Sequence, residues 1–409
     1  MRGYTAKKGN RYYAVIYEGV DSTTGKERRR WYPAGPRKAD AEKLVTELVK
    51  RHNDGEYRTP DRVTVHEYLV DRWLPAQRSQ LKETTFHSYE ANLNLHVLPT
   101  LGDIPLGKLA PEDLDRLYAQ LLESGRRNAP KRGPGLSPSS VRYIHRILRK
   151  ALGDAVRKGT LLRNPAGLAD PPKRSTTQTR DREMKVWTAA QLQTFIDSLD
   201  GQRLAPAFVL SAHTGMRRGE VAGLRWSDVD LPAKLIHVRQ AAVVVNYALR
   251  LTDVKTSHGN RTIDVNDDVV RALTAWRRKQ AEERLLLGAD YDDHDLVFAR
   301  PDGTPTHPEV LSRTFDRIVT RTKLPRIRLH DVRHTHASLL LKAGVPVKVV
   351  SERLGHATAS FTLDVYSWVL PGMQADAAAV FSRLMSAGPV EDPVEVEVPR
   401  QAQDRSLGL

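Results

Sequence analysis

Six residues between positions 217 and 366 carry the side-chain types needed to break a phosphodiester without a metal ion: Arg217, Lys255, His330, Arg333, His356 and Tyr366. That reaction makes three demands. Charge on the non-bridging oxygens must be offset, a nucleophile must be aligned, and a poor alkoxide leaving group needs a proton. Arginine suits the first task, because its planar fork donates two hydrogen bonds and stays charged. Arg217, within Thr214-Gly215-Met216-Arg217-Arg218-Gly219-Glu220, and Arg333 can clamp a phosphate from two sides. Glu220 can orient Arg217, while Arg218 competes for its role. Tyr366 is the candidate nucleophile. A free phenol ionises near ~10, so it needs neighbouring cations or a base, and His330 is the candidate to accept its proton. Lys255, beside a turn, can protonate the leaving 5′ oxygen, a contribution typically worth ~10²–10⁴ in rate. His356 follows Gly355 and can donate to the phosphate. A lone lysine near a turn is an ordinary solubilising residue and a lone tyrosine an ordinary core residue; the ordered set sets these apart. His334 and His336 raise a zinc alternative, disfavoured because the cluster has no thiolate and Arg333 would sit beside the cation. The expectation is metal-free and cofactor-free DNA strand transfer.

These side chains need elements to hold them. His330 and Arg333, three apart, share one face of a helix predicted to begin near Leu329 and stop at Gly344. Strands are predicted over 235–238, 249–256 and 261–265, the last two joined by the turn Ser257-His258-Gly259-Asn260. Upstream, Thr188 and Gln191 form a capping box, as do Thr64 and Glu67. Helices are predicted over 84–97, 111–124 and 138–158, the last capped by Ser137 with Pro138 in its first turn. Arg142, Arg146 and Arg149, with Lys150, recur on a face apart from its apolar stripe, and residues 126–150 contain eight Lys/Arg and no acid. Basic groups at that spacing can reach successive phosphates. The first residues read as a small sheet: Arg11 to Tyr17 alternates with Tyr13, Val15 and Tyr17 on one face, and Glu27 to Tyr32 returns loaded with Arg28, Arg29 and Arg30. A helix follows with Ala41, Leu44, Val45 and Leu48 on one face.

The chain has 409 residues with 64 Lys+Arg against 49 Asp+Glu, a formal net charge of +15. Residues 1–60 carry 14 basic and 8 acidic groups and residues 61–180 carry 20 and 12, so the excess lies where a polyanion is expected to bind. With no cysteine, a disulfide framework, a thiolate zinc site and a thiol nucleophile are excluded. There is no run of about 18 apolar residues and no signal-peptide pattern, so a cytoplasmic protein without membrane association is expected. The domains expected are 1–60, 61–168, a linker 169–182, 183–385, and a tail 386–409 with 2 basic and 5 acidic groups.

The order Arg, Lys, His-x-x-Arg, Leu-Gly-His, Tyr resembles the tyrosine recombinase family, specifically the integrases of phages and integrative elements. Leu329-His330-Asp331-Val332-Arg333-His334-Thr335-His336-Ala337 and Thr362-Leu363-Asp364-Val365-Tyr366 carry the resemblance, which extends over nearly the whole chain. It implies a multidomain α+β fold. Residues 1–60 would be a three-stranded, arm-type DNA-binding domain with Arg28, Arg29 and Arg30 as contacts. Residues 61–168 would be an all-helical core-binding domain, and 183–385 a mainly helical α/β catalytic domain with a small antiparallel sheet. The resemblance implies a site-specific recombinase whose Tyr366 forms a 3′-phosphotyrosine, with Arg217 and Arg333 on the phosphate, Lys255 as general acid, His330 as acid/base and His356 as the second histidine. Four protomers would act on double-stranded attachment sites through a Holliday junction, with accessory bending and directionality factors. Met373 to Met385 is a candidate helix for docking on a neighbour. A type IB topoisomerase-like relaxing enzyme and an inactive DNA-binding regulator are the alternatives.

Overall fold

Both capping boxes form as reciprocal hydrogen-bonded pairs. Thr64 N–H donates to Glu67 Oε2 at 2.8 Å and Glu67 N–H to Thr64 Oγ1 at 3.1 Å. The Thr188–Gln191 pair repeats the pattern at 2.9 and 3.2 Å. Each satisfies two backbone donors that a helix start leaves without partners. The computed structural model describes residues 3–20, 27–53, 63–126, 133–173, 185–254 and 259–366, with short helical pieces at 378–379, 381–382 and 385–386. The fold is multidomain α+β. It divides into two units, residues 1–183 with 243–250, and residues 184–242 with 251–409.

In the first unit, strands β1 (Gly3–Lys8), β2 (Arg11–Val20) and β3 (Glu27–Gly35) form an antiparallel sheet in that order, backed by helix α1 (Lys38–Asn53). The face that packs on α1 carries Ala14, Ile16 and Ala34 against Ala41, Leu44 and Leu48. Tyr13 lies on the opposite face, edge-on to Trp31 at 5.9 Å. The sheet thus has apolar groups on both faces, which is why alternation alone singled out the tyrosine face. Helices α2 (Glu83–Asn92), α3 (Pro111–Ser124) and α4 (Pro138–Arg157) bury a second core that includes Tyr68, Trp73, Leu117, Ile144 and Leu148. Ser137 caps α4 by accepting from Ser140 N–H at 3.2 Å. Inside this core Trp73 Nε1 donates to Asp154 Oδ2 at 2.9 Å, and Tyr68 Oη donates to the Ala151 carbonyl at 2.9 Å. Arg163 donates to the carbonyls of Pro33 and Ala34 at 3.2 and 3.1 Å, tying the sheet to the helical part of the same unit.

The second unit is mainly helical: α5 (Ala189–Asp197), α6 (Ala205–Thr214), α7 (Arg218–Ala222), α8 (Asp267–Leu287), α9 (Pro308–Arg321), α10 (Leu329–Lys342), α11 (Val347–Leu354) and α12 (Ala359–Tyr366). Trp187, Phe195, Phe208 and Phe315 form an aromatic cluster at its centre. A smaller cluster joins Ala337, Leu341, Val350, Leu354 and Tyr366. Strands β4 (Val229–Asp230), β5 (Leu235–Val238) and β8 (Arg261–Asp264) make one antiparallel sheet, and β6 (Gln240–Val245) pairs with β7 (Ala248–Asp253). The strand predicted over 249–256 therefore pairs backwards with β6, not forwards with 261–265, which joins β5 instead. The missed strand β6 is a run of small and β-branched residues with little alternation, and its turn uses Asn246 and Tyr247 at positive φ. Among the described residues no helix is long and apolar enough to cross a membrane.

Candidate active site

The C-terminus of α11 presents three consecutive carbonyls, and each receives a different arginine. Arg261 Nε donates to the Arg353 carbonyl at 2.7 Å, Arg333 Nη2 to that of Leu354 at 2.6 Å, and Arg217 Nη2 to that of Gly355 at 3.0 Å. Helix C-termini concentrate unpaired carbonyls and partial negative charge, so they hold cations well. Gly355 closes α11 in the left-handed region at φ 69°, a conformation that costs glycine least. Gly215 does the same for α6 at φ 64°, and its carbonyl takes Arg333 Nη1 at 2.8 Å. A Cβ on Gly215 would meet Leu354 Cδ2 at 2.7 Å and His336 Cδ2 at 2.9 Å, so the Thr-Gly-x-Arg turn needs glycine for space as well. Arg353 in turn pins α11 by donating to the carbonyls of His213 and Asp264 at 2.9 and 3.0 Å.

Three guanidinium groups so close together need a counter-charge, and buried Glu220 supplies it. Its carboxylate accepts Arg217 N–H at 2.8 Å and Arg217 Nη1 at 2.7 Å, then Arg261 Nη1 and Nη2 at 3.2 and 2.9 Å. Burial works to raise this carboxyl, but Arg261 and Arg217 outweigh it and hold Glu220 below the usual range. Burial and then Arg217 push Arg333 down to about 9, so it remains protonated at neutral pH. Arg218 points elsewhere, to Glu309 at 3.0 Å and Ser312 at 2.8 Å.

Tyr366, the last residue of α12, is buried in the same subunit as these arginines. Desolvation pushes its phenol up to about 12, with Arg333 acting in the opposite direction. Its Oη lies 2.7 Å from Nδ1 of His334. His330, one helical turn earlier, is exposed and sits edge-on to His334 at 5.0 Å between ring centroids. His334 therefore occupies the position against the phenol where the sequence placed His330. His356 Nδ1 is 2.8 Å from Thr362 Oγ1, and its ring stacks 6.5 Å from that of Tyr366. Desolvation, then Arg333 and Arg217, push His356 down to about 3. His336 Nδ1–H donates to the Ala212 carbonyl at 2.9 Å while its Nε2 accepts from Arg353 at 3.2 Å. Those two bonds assign the neutral tautomer.

Arg217, His330, Arg333, His356 and Tyr366 thus gather around the α11–α12 junction, while Lys255 lies outside the described residues. Glu220 was legible from its spacing to Arg217, but Arg261 and His334 were not. Arg261 reads as a surface residue after a turn until its partner, 41 positions away, is brought beside it. Of the candidate DNA contacts, Arg146 and Arg149 are exposed on α4, with Arg142 and Lys150 half-buried beside them. Lys150 pairs with Asp154 at 3.5 Å. Arg29 is exposed and donates to Glu27 through Nε at 2.9 Å, Arg30 is half-buried, and Arg28 belongs to β3. The described residues near 378–386 are helical, with Phe381 and Met385 exposed. Among the described residues no group of three or more His, Asp or Glu is placed to hold a metal ion.

Residues 185–371 match the phage integrase family and residues 66–122 its SAM-like N-terminal domain. The chain is 26% identical to a XerC-like tyrosine recombinase of Caldanaerobacter subterraneus, covering 92% of this chain and 97% of that protein. It is 27% identical to the ICEBs1 integrase of Bacillus subtilis, with 91% and 96% covered. Among solved structures, the Tn1549 transposon integrase in complex with a circular intermediate DNA superposes with a TM-score of 0.63 at 22% identity, over 79% of this chain and 99% of that one. A lambda integrase tetramer bound to a Holliday junction gives 0.51 at 18% identity, over 86% and 92%.

Proposed function

We propose that this chain, whose residues 185–371 match the phage integrase family, is a tyrosine recombinase and that its six-residue set performs strand transfer on this subunit's own DNA site. The protein is a site-specific DNA recombinase that cuts and rejoins DNA through a 3′-phosphotyrosine to integrate a mobile element. In the proposed assignment Arg217 and Arg333, held in place by the carbonyls of Gly355, Leu354 and Gly215, offer their remaining N–H groups to the non-bridging oxygens of the scissile phosphate. Tyr366 attacks the phosphorus, and the 5′ oxygen leaves with a proton from Lys255. His330 and His356 complete the set beside the phosphate. Arg142, Arg146, Arg149 and Lys150 on α4 and Arg28, Arg29 and Arg30 on β3 are the proposed contacts to the duplex. A homotetramer on two duplexes, assisted by bending and directionality factors and working in the cytoplasm, is part of the same reading.

One observation carries the assignment: within its own subunit the Tyr366 ring is buried and stacked on His356, with its Oη 2.7 Å from the imidazole that follows Arg333. The test is covalent trapping on a suicide substrate, a nicked attachment site that loses the 5′ end after cleavage. Tyr366→Phe is expected to keep specific DNA binding and trap no adduct. Adduct formation by that variant would remove Tyr366 from the role.

A further inference from the structure

The Tyr366 phenol has a hydrogen-bond partner that the six-residue set does not contain. His334 lies one turn along α10 from His330 and directly after Arg333, so the helix that delivers the phosphate clamp also delivers this imidazole. Its Nδ1 is 2.7 Å from Tyr366 Oη, and the two ring centroids are 5.6 Å apart. A phenol buried to this degree keeps its proton at neutral pH and acts as the donor. The nitrogen facing it must therefore be an acceptor, which a neutral imidazole provides.

We infer that His334 is a further catalytic residue, whose Nδ1 takes the phenolic proton of Tyr366 as Oη attacks the scissile phosphorus. The inference rests on the reading of Tyr366 as the nucleophile. The bond from phosphorus to Oη forms, the bond to the 5′ oxygen breaks, and the leaving oxygen takes its proton from the general acid, proposed as Lys255. The phenolic proton meanwhile resides on His334. On rejoining, a 5′ hydroxyl attacks the phosphorus and gives its proton back to the general acid, the phenolate leaves, and His334 returns its proton to it. His330 is then left for a phosphate oxygen.

The surroundings of His334 tie this transfer to DNA binding. From its own helix and the approach to it come His330, Asp331, Arg333 and Arg328; from the α11–α12 side come Tyr366 and His356. Desolvation first, then His330, Arg333 and Arg328, hold His334 down to about 4, against the opposite pull of Asp331. In the free protein His334 is a neutral acceptor with little tendency to become an imidazolium. A bound phosphate brings negative charge to the arginines beside it and raises its basicity. The nucleophile is thus deprotonated only when a phosphate is there to be attacked.

The experiment is single-turnover adduct formation on the suicide substrate across pH, with DNA binding measured in parallel. His334→Asn keeps an acceptor close to the position of Nδ1 without its basicity, and His334→Ala removes both. Both are expected to bind the site normally and to form adduct ~10²–10⁴-fold more slowly, the usual worth of a general base. Replacing Tyr366 by 3-fluorotyrosine, whose phenol ionises more readily, is expected to recover part of the rate in His334→Asn. A near-native rate in His334→Asn, or a slow rate that fluorination leaves untouched, overturns the proposal. Should both variants lose specific binding, the fluorinated but otherwise native chain decides: the acid limb of its pH profile is expected to stay in place. A limb that moves with the phenol overturns the assignment. Adduct formation by Tyr366→Phe, by contrast, would mark a failure of the nucleophile reading.

Discussion

Arg261 and Arg333 are almost withdrawn from solvent, with 6% of the Arg261 side chain and 3% of Arg333 exposed, whereas Arg146 and Arg149 stand exposed on α4. The buried pair have their hydrogen bonds filled in advance by α11 carbonyls, the Gly215 carbonyl and the Glu220 carboxylate. The exposed ones, proposed to contact the duplex, are solvated, and Arg146 has a cation–π neighbour in Tyr143, 5.4 Å from the ring centroid. Under the proposed function, arginine would thus meet DNA phosphate in two settings, one buried and one exposed. A prearranged guanidinium costs little reorganisation when charge develops on the phosphorus. An exposed one gains mainly by releasing counterions and carries no geometric precision. Substitutions in the two regions should therefore fail in different ways.

The largest effect is expected at Glu220, which answers the charge of two arginines. Glu220→Gln keeps the size and one acceptor but leaves Arg261 and Arg217 without a counter-charge inside the fold. Removing one partner of a buried ion pair typically costs about 3–5 kcal/mol. The second unit is expected to lose stability on that scale in denaturant, and covalent trapping is expected to fall with it. A variant that unfolds and cleaves like the native chain would show that the carbonyls alone hold the arginines, and the contrast between the regions would weaken.

An intermediate effect is expected on α4. Changing Arg142, Arg146 and Arg149 together to Gln leaves up to three phosphates without a cation while keeping the buried face of the helix intact. The slope of log affinity against log salt is expected to become shallower by about 0.9 for each phosphate no longer neutralised. Stability should change little, and adduct formation at saturating protein should approach the native rate. An unchanged salt slope would take α4 off the DNA.

The same contrast explains how much the sequence revealed. Helices α3 and α4 were legible because their caps, prolines and apolar stripes are local. The arginine face of α4 was legible for the same reason, since a solvated helix face shows its charge in the sequence pattern. The ordered residues from Arg217 to Tyr366 were singled out by spacing and resemblance, and the fold gathers all of them but Lys255, which lies outside the described residues. What escaped depends on folding distant segments together: Arg261 reaching Glu220, Gly215 and α11 lending carbonyls to Arg333, and α12 carrying the phenol to His334 instead of His330. The choice between those two histidines, one helical turn apart, depends on how α12 approaches α10, which no local rule sets. Strand β6 escaped because a run of alanine and valine has no alternation to read, and with it went the true pairing of β7.

The smallest effect is expected where a basic side chain is already answered within its own helix. Lys150 Nζ lies 3.5 Å from Asp154 Oδ2, one turn along α4. Burial works to raise Asp154, but the hydrogen bond from Trp73 and the charges of Lys150 and Arg157 outweigh it and keep the carboxylate ionised. That anion offsets part of the charge Lys150 can offer to DNA, so fewer counterions are released when it binds. Lys150→Gln is therefore expected to change the salt slope by less than half of the ~0.9 expected for Arg149→Gln. Lys150 is half-buried and its carboxylate partner is buried, but Asp154 keeps Trp73 and Arg157 as partners when the lysine is removed, so stability is expected to change little. Titrating the two single variants over the same salt series compares them directly. Equal slopes would mean that neither the carboxylate beside Lys150 nor its partial burial discounts the charge it gives to the duplex.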